Sequence, residues 1–316
     1  MSVDLSIMIE AQEGLTWERW QRLARTVEAV GLHGLYRSDH LTGLFGDASR
    51  PALDTWASLG WLATATRRIR FGPLVCPLTF YHPGMLARHA FAIAELSGGR
   101  LDLGIGAGWH EGEHRMFGIP FPPLRERLDR LECGARAIVA LRGAGEPVTL
   151  EQPYAALLDA HTSPRPADGL PLVIGGRGER RTLRTVAAYA DEWNVTRVTV
   201  EEYRQKRRIL EAYAWSLGRD PDAIRHALML PIVVGRSATD VSRRLAVALS
   251  RFPRLPADEA GWRAADFLLG TPERVIDDLY RWENAGIARV MLQFPDMDDL
   301  EAIDLIGREI APRLRP

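Results

Sequence analysis

Cysteine is nearly missing from this chain: Cys76 and Cys133 are the two in 316 residues, and they form no CxxC. That argues against a disulfide framework and fits a reducing cytoplasm. An excess of one charge is missing as well. Forty lysines and arginines face 41 acids, leaving a formal net charge of −1, so nothing electrostatic draws the chain to nucleic acid or to an anionic membrane. No apolar run approaches the roughly 20 residues that span a bilayer. The opening Met1-Ser2-Val3-Asp4-Leu5-Ser6 lacks the basic stretch and apolar core of a leader peptide. Glycine/serine linkers are absent too. These absences describe a soluble, cytoplasmic protein with a single domain over 1–316 and a small molecule, rather than a nucleic acid or a membrane, as its partner.

What is present is a core. Apolar residues make up 46% of the chain, arranged as short apolar runs that alternate with longer segments of helical period, the pattern of a parallel sheet wrapped by helices. The runs at Leu5–Ile9, Gly34–Arg37, Ile69–Gly72, Leu101–Ile105, Leu172–Ile174, Glu192–Val195, His226–Val234 and Arg289–Leu292 read as eight strands. Thr16 opens the first helix, Pro83–Leu96 is the third, and Glu179–Tyr189 the fifth. Thr271-Pro272-Glu273 opens a helix with threonine as cap and proline at its first position. Two stretches break the rhythm: 144–169, with a small surface hairpin, and 236–268, read as irregular around Arg251-Phe252-Pro253-Arg254-Leu255-Pro256. Eight even beats without a topological switch favour a (β/α)8 TIM barrel over a doubly wound open sheet. The two stretches are then insertions that cover the mouth.

A barrel of this kind works at the C-terminal ends of its strands, and the unusual residues fall there. Glu10 and Gln12 follow strand 1, Ser38-Asp39-His40 strand 2, and Leu74-Val75-Cys76-Pro77 ends strand 3. Gly104, Gly106, Ala107, Gly108 and Trp109 follow strand 4; Gly175, Gly176, Arg177 and Gly178 follow strand 5; Trp193-Asn194 ends strand 6. One glycine per loop would satisfy a tight turn. The surplus removes Cβ atoms where a flat ring or phosphate approaches the backbone, and the second cluster opens a helix whose free N–H groups favour phosphate. Neither is a dinucleotide fingerprint, since Trp109 stands where GxGxxG needs glycine.

His40 at a strand end titrates near neutrality and suits acid–base chemistry. The plainer reading makes the lone histidine structural and the aspartate beside it a turn cap. His110-Glu111-Gly112-Glu113-His114 matches HExxH, the zinc-hydrolase pattern, but Gly112 sits at its centre after a glycine-rich loop, so we read a short loop helix with solvated charges and no metal. His82 reads as a helix-start residue, and Trp56, Trp61 and Trp282 as packing; Trp109 is the tryptophan placed near a ligand. Arg251 and Arg254 read either as contacts for an anionic substrate or tail, or as solvated surface arginines.

At these residues the sequence resembles the bacterial luciferase-like superfamily, in its branch that uses the deazaflavin coenzyme F420. The resemblance runs through Ile9-Glu10 with Gln12, Arg37-Ser38-Asp39-His40, Thr79-Phe80-Tyr81-His82-Pro83, Leu96-Ser97-Gly98-Gly99-Arg100 and Gly104 to Trp109. It continues through Phe117-Gly118-Ile119-Pro120-Phe121-Pro122, Ile174-Gly175-Gly176, Ala190-Asp191-Glu192-Trp193-Asn194 and Gly270-Thr271-Pro272-Glu273. It implies a TIM barrel, often a homodimer, and hydride transfer between F420 and a small organic substrate. Asp39 and His40 match the pair beside the deazaflavin ring. Leu74 and Val75 match a strand-3 bulge, usually with a non-prolyl cis peptide, behind the ring. Gly106, Ala107 and Gly108 match the loop along the ring edge, and Gly175, Gly176, Arg177 and Gly178 the segment holding the phosphate tail. The chain departs at Leu44, where the sugar-phosphate and alcohol dehydrogenases of the branch carry tryptophan. It departs again at Trp109, where the sugar-phosphate enzymes carry an acid; Glu10 is the substitute read from the neighbouring strand end. The alternatives are an FMN-dependent monooxygenase of the same superfamily and a non-catalytic flavin- or deazaflavin-binding protein.

Overall fold

The computed structural model describes residues 3–45, 47–143, 145–165 and 169–314. Eight parallel strands close a barrel in chain order: β1 (Asp4–Ile9), β2 (Gly34–Arg37), β3 (Arg70–Pro73, resuming as Cys76–Pro77), β4 (Leu103–Gly106), β5 (Leu172–Gly175), β6 (Glu192–Thr196), β7 (Arg225–Val234) and β8 (Arg289–Gln293). The ring shuts where β8 meets β1, with Met8 opposite Gln293. Between β3 and β4 it shuts through Phe71 opposite Leu101 and Cys76 opposite Ile105. The interruption in β3 is a cis peptide between Leu74 and Val75. The expected TIM barrel is found, with each strand within two residues of its place in the sequence.

Alternation along each strand sorts side chains to two faces. Outward-facing Ile7, Leu35, Phe71, Ile105, Ile174 and Leu292 pack against helix residues such as Leu23, Leu62, Phe91 and Leu279, all fully buried. Burial of each such side chain is worth about 1.5–3 kcal/mol. The inward-facing residues form tiers. At the base, Asp102 accepts from Tyr36 Oη at 2.5 Å and pairs with Arg70 at 2.5 Å and Arg289 at 2.7 Å, while Arg289 also meets Glu192 at 3.3 Å. Above lies an apolar tier of Met8, Leu74, Val173 and Met291. The third tier opens to the mouth.

Several local signals act as read. Thr16 caps the helix Trp17–Ala29, its Oγ1 accepting from Arg19 N at 3.3 Å. His82 caps Pro83–Leu96, its Nδ1 accepting from Gly84 N at 3.2 Å. Trp282 is buried, and Trp56 and Trp61 pack on the core. Thr271 does precede Pro272–Ala285, but its side chain makes no capping bond. Among the described residues no helix is long and apolar enough to cross a membrane.

Three expectations need correction. The 236–268 stretch is not irregular: it holds helices Ala238–Arg251 and Glu259–Ala264 and a short strand, Leu268–Gly270, beside the end of β7. Val241, Leu245, Ala248 and Leu249 recur at helical spacing and pack with Phe252, Leu255 and Trp262 in a small core of their own. The fifth helix begins at Thr182 rather than Glu179, so the glycine cluster ends before the helix instead of opening it. The hairpin Val148–Leu150 with Leu157–Ala160 is present, but it packs outside the barrel, not over the mouth: Gln152 donates to Cys133 O at 2.9 Å, and Tyr154 lies under Arg130. Ala144 and residues 166–168 of that insertion lie outside the described residues.

Candidate active site

The mouth of the barrel opens into a cavity of about 620 Å³, a size suited to a cofactor or small molecule. Of the residues singled out from the sequence, Glu10, Asp39, His40, Leu74, Val75, Gly106, Ala107, Gly108, Trp109, Gly175, Gly176 and Arg177 all line it; Gln12, Cys76, Gly104 and Gly178 do not. Arg254 reaches the cavity from the second insertion, whereas Arg251 is turned away to Asp296 at 3.0 Å and Asp298 at 3.6 Å.

The glycines are explained first by packing. A Cβ on Gly106 would lie 2.6 Å from Val75 Cγ2, and one on Gly175 would lie 3.0 Å from Val75 Cγ1. The cis bulge thus lays Val75 across β4 and β5, where only bare backbone leaves room for its methyls. Val75 itself becomes cavity wall. Gly108 is a separate case, with φ at +75°, a conformation that costs little only without a Cβ. Trp193 expected at the rim is fully buried on the outer side, where its Nε1 donates to Gly176 O at 2.8 Å and steadies that loop.

Asp39 is held rather than free. It accepts from Thr55 Oγ1 at 2.7 Å and Tyr81 Oη at 2.9 Å. Glu10 is gripped by two amides, Gln12 Nε2 at 3.0 Å and Gln293 Nε2; Gln12 in turn accepts from Ser38 Oγ at 2.5 Å, and Arg197 Nη2 donates to Gln293 Oε1 at 2.9 Å. Arg197 adopts φ +50°, with its carbonyl accepting from Arg177 Nη1 at 3.2 Å.

The HExxH segment departs from its reading in the sequence. The segment is a short helix, Glu111–Met116, but its charges are not all solvated: Glu113 and His114 are buried, while Glu111 and Arg115 are exposed. His114 spends both ring nitrogens on protein, 2.7 Å from His110 O and 2.7 Å from Thr79 Oγ1. Glu113 turns into the cavity and lies 2.9 Å from His40 Nδ1. Burial disfavours a charged His40, yet the bond and charge of Glu113 outweigh it and hold the ring's pKa above its ordinary value. Burial likewise opposes a charged Glu113, and His40 with Leu41 N keeps that carboxyl below its usual range. Trp109, 56% exposed, stands edge-on to His40 with ring centres 5.7 Å apart.

Sequence reasoning missed Glu113, Thr196, Arg197 and Gln293, all cavity-lining. Gln293 carried a usable signal, a polar residue directly after the last apolar run. Two buried donors in the cavity, Asn194 Nδ2 and Thr196 Oγ1, have no protein partner. An unpaired buried donor is costly, and these two stand at the cavity wall.

A family model described as luciferase-like monooxygenase matches residues 2–289, and the chain belongs to that family. It is similar to an F420-dependent glucose-6-phosphate dehydrogenase of Microbacterium testaceum, 27% identical over 91% of this chain and 90% of that one. It is also similar to an F420-dependent hydroxymycolic acid dehydrogenase of Mycobacterium tuberculosis, 27% identical over 98% and 88%. Among solved structures it resembles an F420-dependent secondary alcohol dehydrogenase in complex with an F420–acetone adduct, with TM-score 0.83, 21% identity and full coverage of both chains; this last likeness bears on the fold.

Proposed function

We propose that this chain is an oxidoreductase that binds coenzyme F420 and passes a hydride between it and a small organic substrate. The observation that carries the reading is the His40–Glu113 pair within a cavity whose wall includes Val75, seated on Gly106 and Gly175. The F420-dependent relatives support the choice of cofactor, and the cavity volume and the unpaired Asn194 and Thr196 donors suit a large polar ring system. Bound there, F420 supplies a two-electron hydride donor or acceptor. Leu74 and Val75 would back the ring, Gly106 to Gly108 would run along its edge, and Gly175, Gly176, Arg177 and Gly178 would face the phosphate tail, with Gly178 acting through the loop rather than the cavity wall.

This chain's own part is to bind, orient and move a proton. His40 Nε2 would give a proton to, or take one from, the substrate oxygen as the hydride moves. Glu10, fixed by Gln12 and Gln293, is the second acid–base candidate at the mouth. Leu44 and Trp109 leave that side more apolar than the acid and tryptophan of the sugar-phosphate enzymes would, so a less hydrated substrate suits it better.

The test is to titrate the purified apoprotein with F420 and with FMN. Micromolar binding of F420 is expected. Tight binding of FMN alone would establish the monooxygenase reading, which the family description keeps in view. The proposal extends to a cytoplasmic homodimer, consistent with two unpaired cysteines; light scattering should give twice the 35.3 kDa chain mass.

A further inference from the structure

We infer that Glu113 is the positioning carboxylate of this site: it fixes the imidazole of His40 with Nδ1 turned to protein and Nε2 left for the substrate, and it supplies the countercharge when that ring is protonated. The inference deepens the proposed function and rests on it for its catalytic meaning, though not for its geometry.

The two residues are 73 apart in sequence, and the fold joins them from separate directions. His40 follows β2. Glu113 sits in the helix Glu111–Met116, whose first turn is set by His110 Nδ1 accepting from Glu113 N at 3.3 Å. The Glu113 side chain is 1% exposed. Its two oxygens have distinct duties: Oε1 meets His40 Nδ1 at 2.9 Å and Oε2 accepts from Leu41 N at 3.0 Å. Both bonds end on neighbouring residues of one loop, so the carboxylate holds the backbone and the ring together.

A carboxylate beside Nδ1 selects the tautomer that carries a proton there, because an ionised carboxylate only accepts. Nε2 is then the atom that alternates between acceptor and donor. Among the described residues Glu113 meets no lysine or arginine within ion-pair distance; the bases beside it are His40 and, at 4.0 Å, His110, whose Nδ1 accepts from Glu113 N and so carries no proton there. A buried carboxylate is stable only when paired, so its charge favours the imidazolium of His40. The other groups facing His40 do not take over this duty. Asp39 is occupied by Thr55 and Tyr81, and Glu10 by Gln12 and Gln293. His114 is committed to Thr79 and His110 O. Arg254, in charge range of His110, adds repulsion. The carboxylate missing at Trp109 thus has a counterpart four residues on, acting through His40.

The experiment is ring-nitrogen NMR of His40 in the cofactor-free protein, with the signal assigned by its loss in H40Q. For the native chain we expect the neutral ring to carry its proton on Nδ1 and to titrate above the ordinary histidine value. In Glu113→Gln the amide donates to Nδ1 instead, so the proton should move to Nε2 and the midpoint should fall by about one unit or more. Glu113→Asp should restore the native tautomer. With F420 and a panel of small alcohols and ketones, E113Q should lose about a hundredfold in kcat on any member the native chain turns over, with a smaller change in KM, and its pH profile should shift with the NMR midpoint. An unchanged tautomer and midpoint in a folded E113Q would overturn the inference and leave Glu113 as a tether for Leu41. Failure of F420 to bind would instead sink the proposed function while the NMR result stood.

Discussion

The two ends of the barrel are built from the same kinds of side chain and use them oppositely. At the base, Tyr36, Arg70, Asp102, Glu192 and Arg289 pair with one another: both oxygens of Asp102 are taken and the guanidinium of Arg289 spans two carboxylates, though Glu192 Oε1 and Arg289 Nε make no hydrogen bond. At the mouth, Glu10, His40 and Arg197 are oriented by neighbours and line the cavity, as do Asn194 and Thr196, whose Nδ2 and Oγ1 have no protein partner. What separates the two is access: the base lies sealed beneath the apolar tier of Met8, Leu74, Val173 and Met291, whereas the mouth cluster lines an open cavity. Burial alone would not have separated the two.

Disturbing the base should be felt in folding. Arg289→Met leaves Asp102 and Glu192 buried without their shared cation, and should cost about 3–5 kcal/mol in urea unfolding; a loss below 1 kcal/mol would mean the base is not a closed network. Disturbing the mouth should be felt in turnover. His40→Ala should lower kcat by about a hundredfold or more while the melting temperature stays within a few degrees, and unchanged kinetics would demote His40 to scaffold. Between the two lies the Val75 seat. Gly106→Ala presses a methyl on Val75 and should weaken F420 binding by about tenfold, in line with overpacking costs of roughly 1–3 kcal/mol, measured by cofactor fluorescence; equal affinity would show that the wall yields.

The base should also respond to pH. Burial raises Glu192 to about 7, with Arg289 opposing and Asp102 adding to the rise. A folded-state pKa above the unfolded value means that the native state binds the extra proton, so its contribution declines as pH climbs from about 4.5 toward 7. Glu192→Gln should therefore be more stable than the native chain at pH 8, by up to about 3 kcal/mol, and equal to it below pH 4.5. A variant less stable at pH 8 would show the Arg289 pair to be the stronger influence.

The barrel was legible because period and punctuation are local. β2 and the helix Pro83–Leu96 fall where apolar runs, proline and glycine put them. Most of the cavity wall was legible as well, since polar residues and glycines after apolar runs could be assigned to one rim. What was not legible depends on contacts across the sheet. Glu113 looked solvated because its helix is six residues long with Gly112 within it, and its burial comes from β2, far away in sequence. The left-handed turn at Arg197 has no glycine or asparagine to announce it. The helix Ala238–Arg251 carried its own period, and the prolines at 253 and 256 drew attention from it.

The ionic base has one more consequence. With Asp102, Arg289 and Glu192 stoppering the shaft below and Met8, Leu74, Val173 and Met291 filling it midway, the described chamber is a blind cup. Whatever sits deepest must arrive first and depart last, so two reactants sharing this lip are bound to queue, and the order of the queue is written into depth rather than affinity.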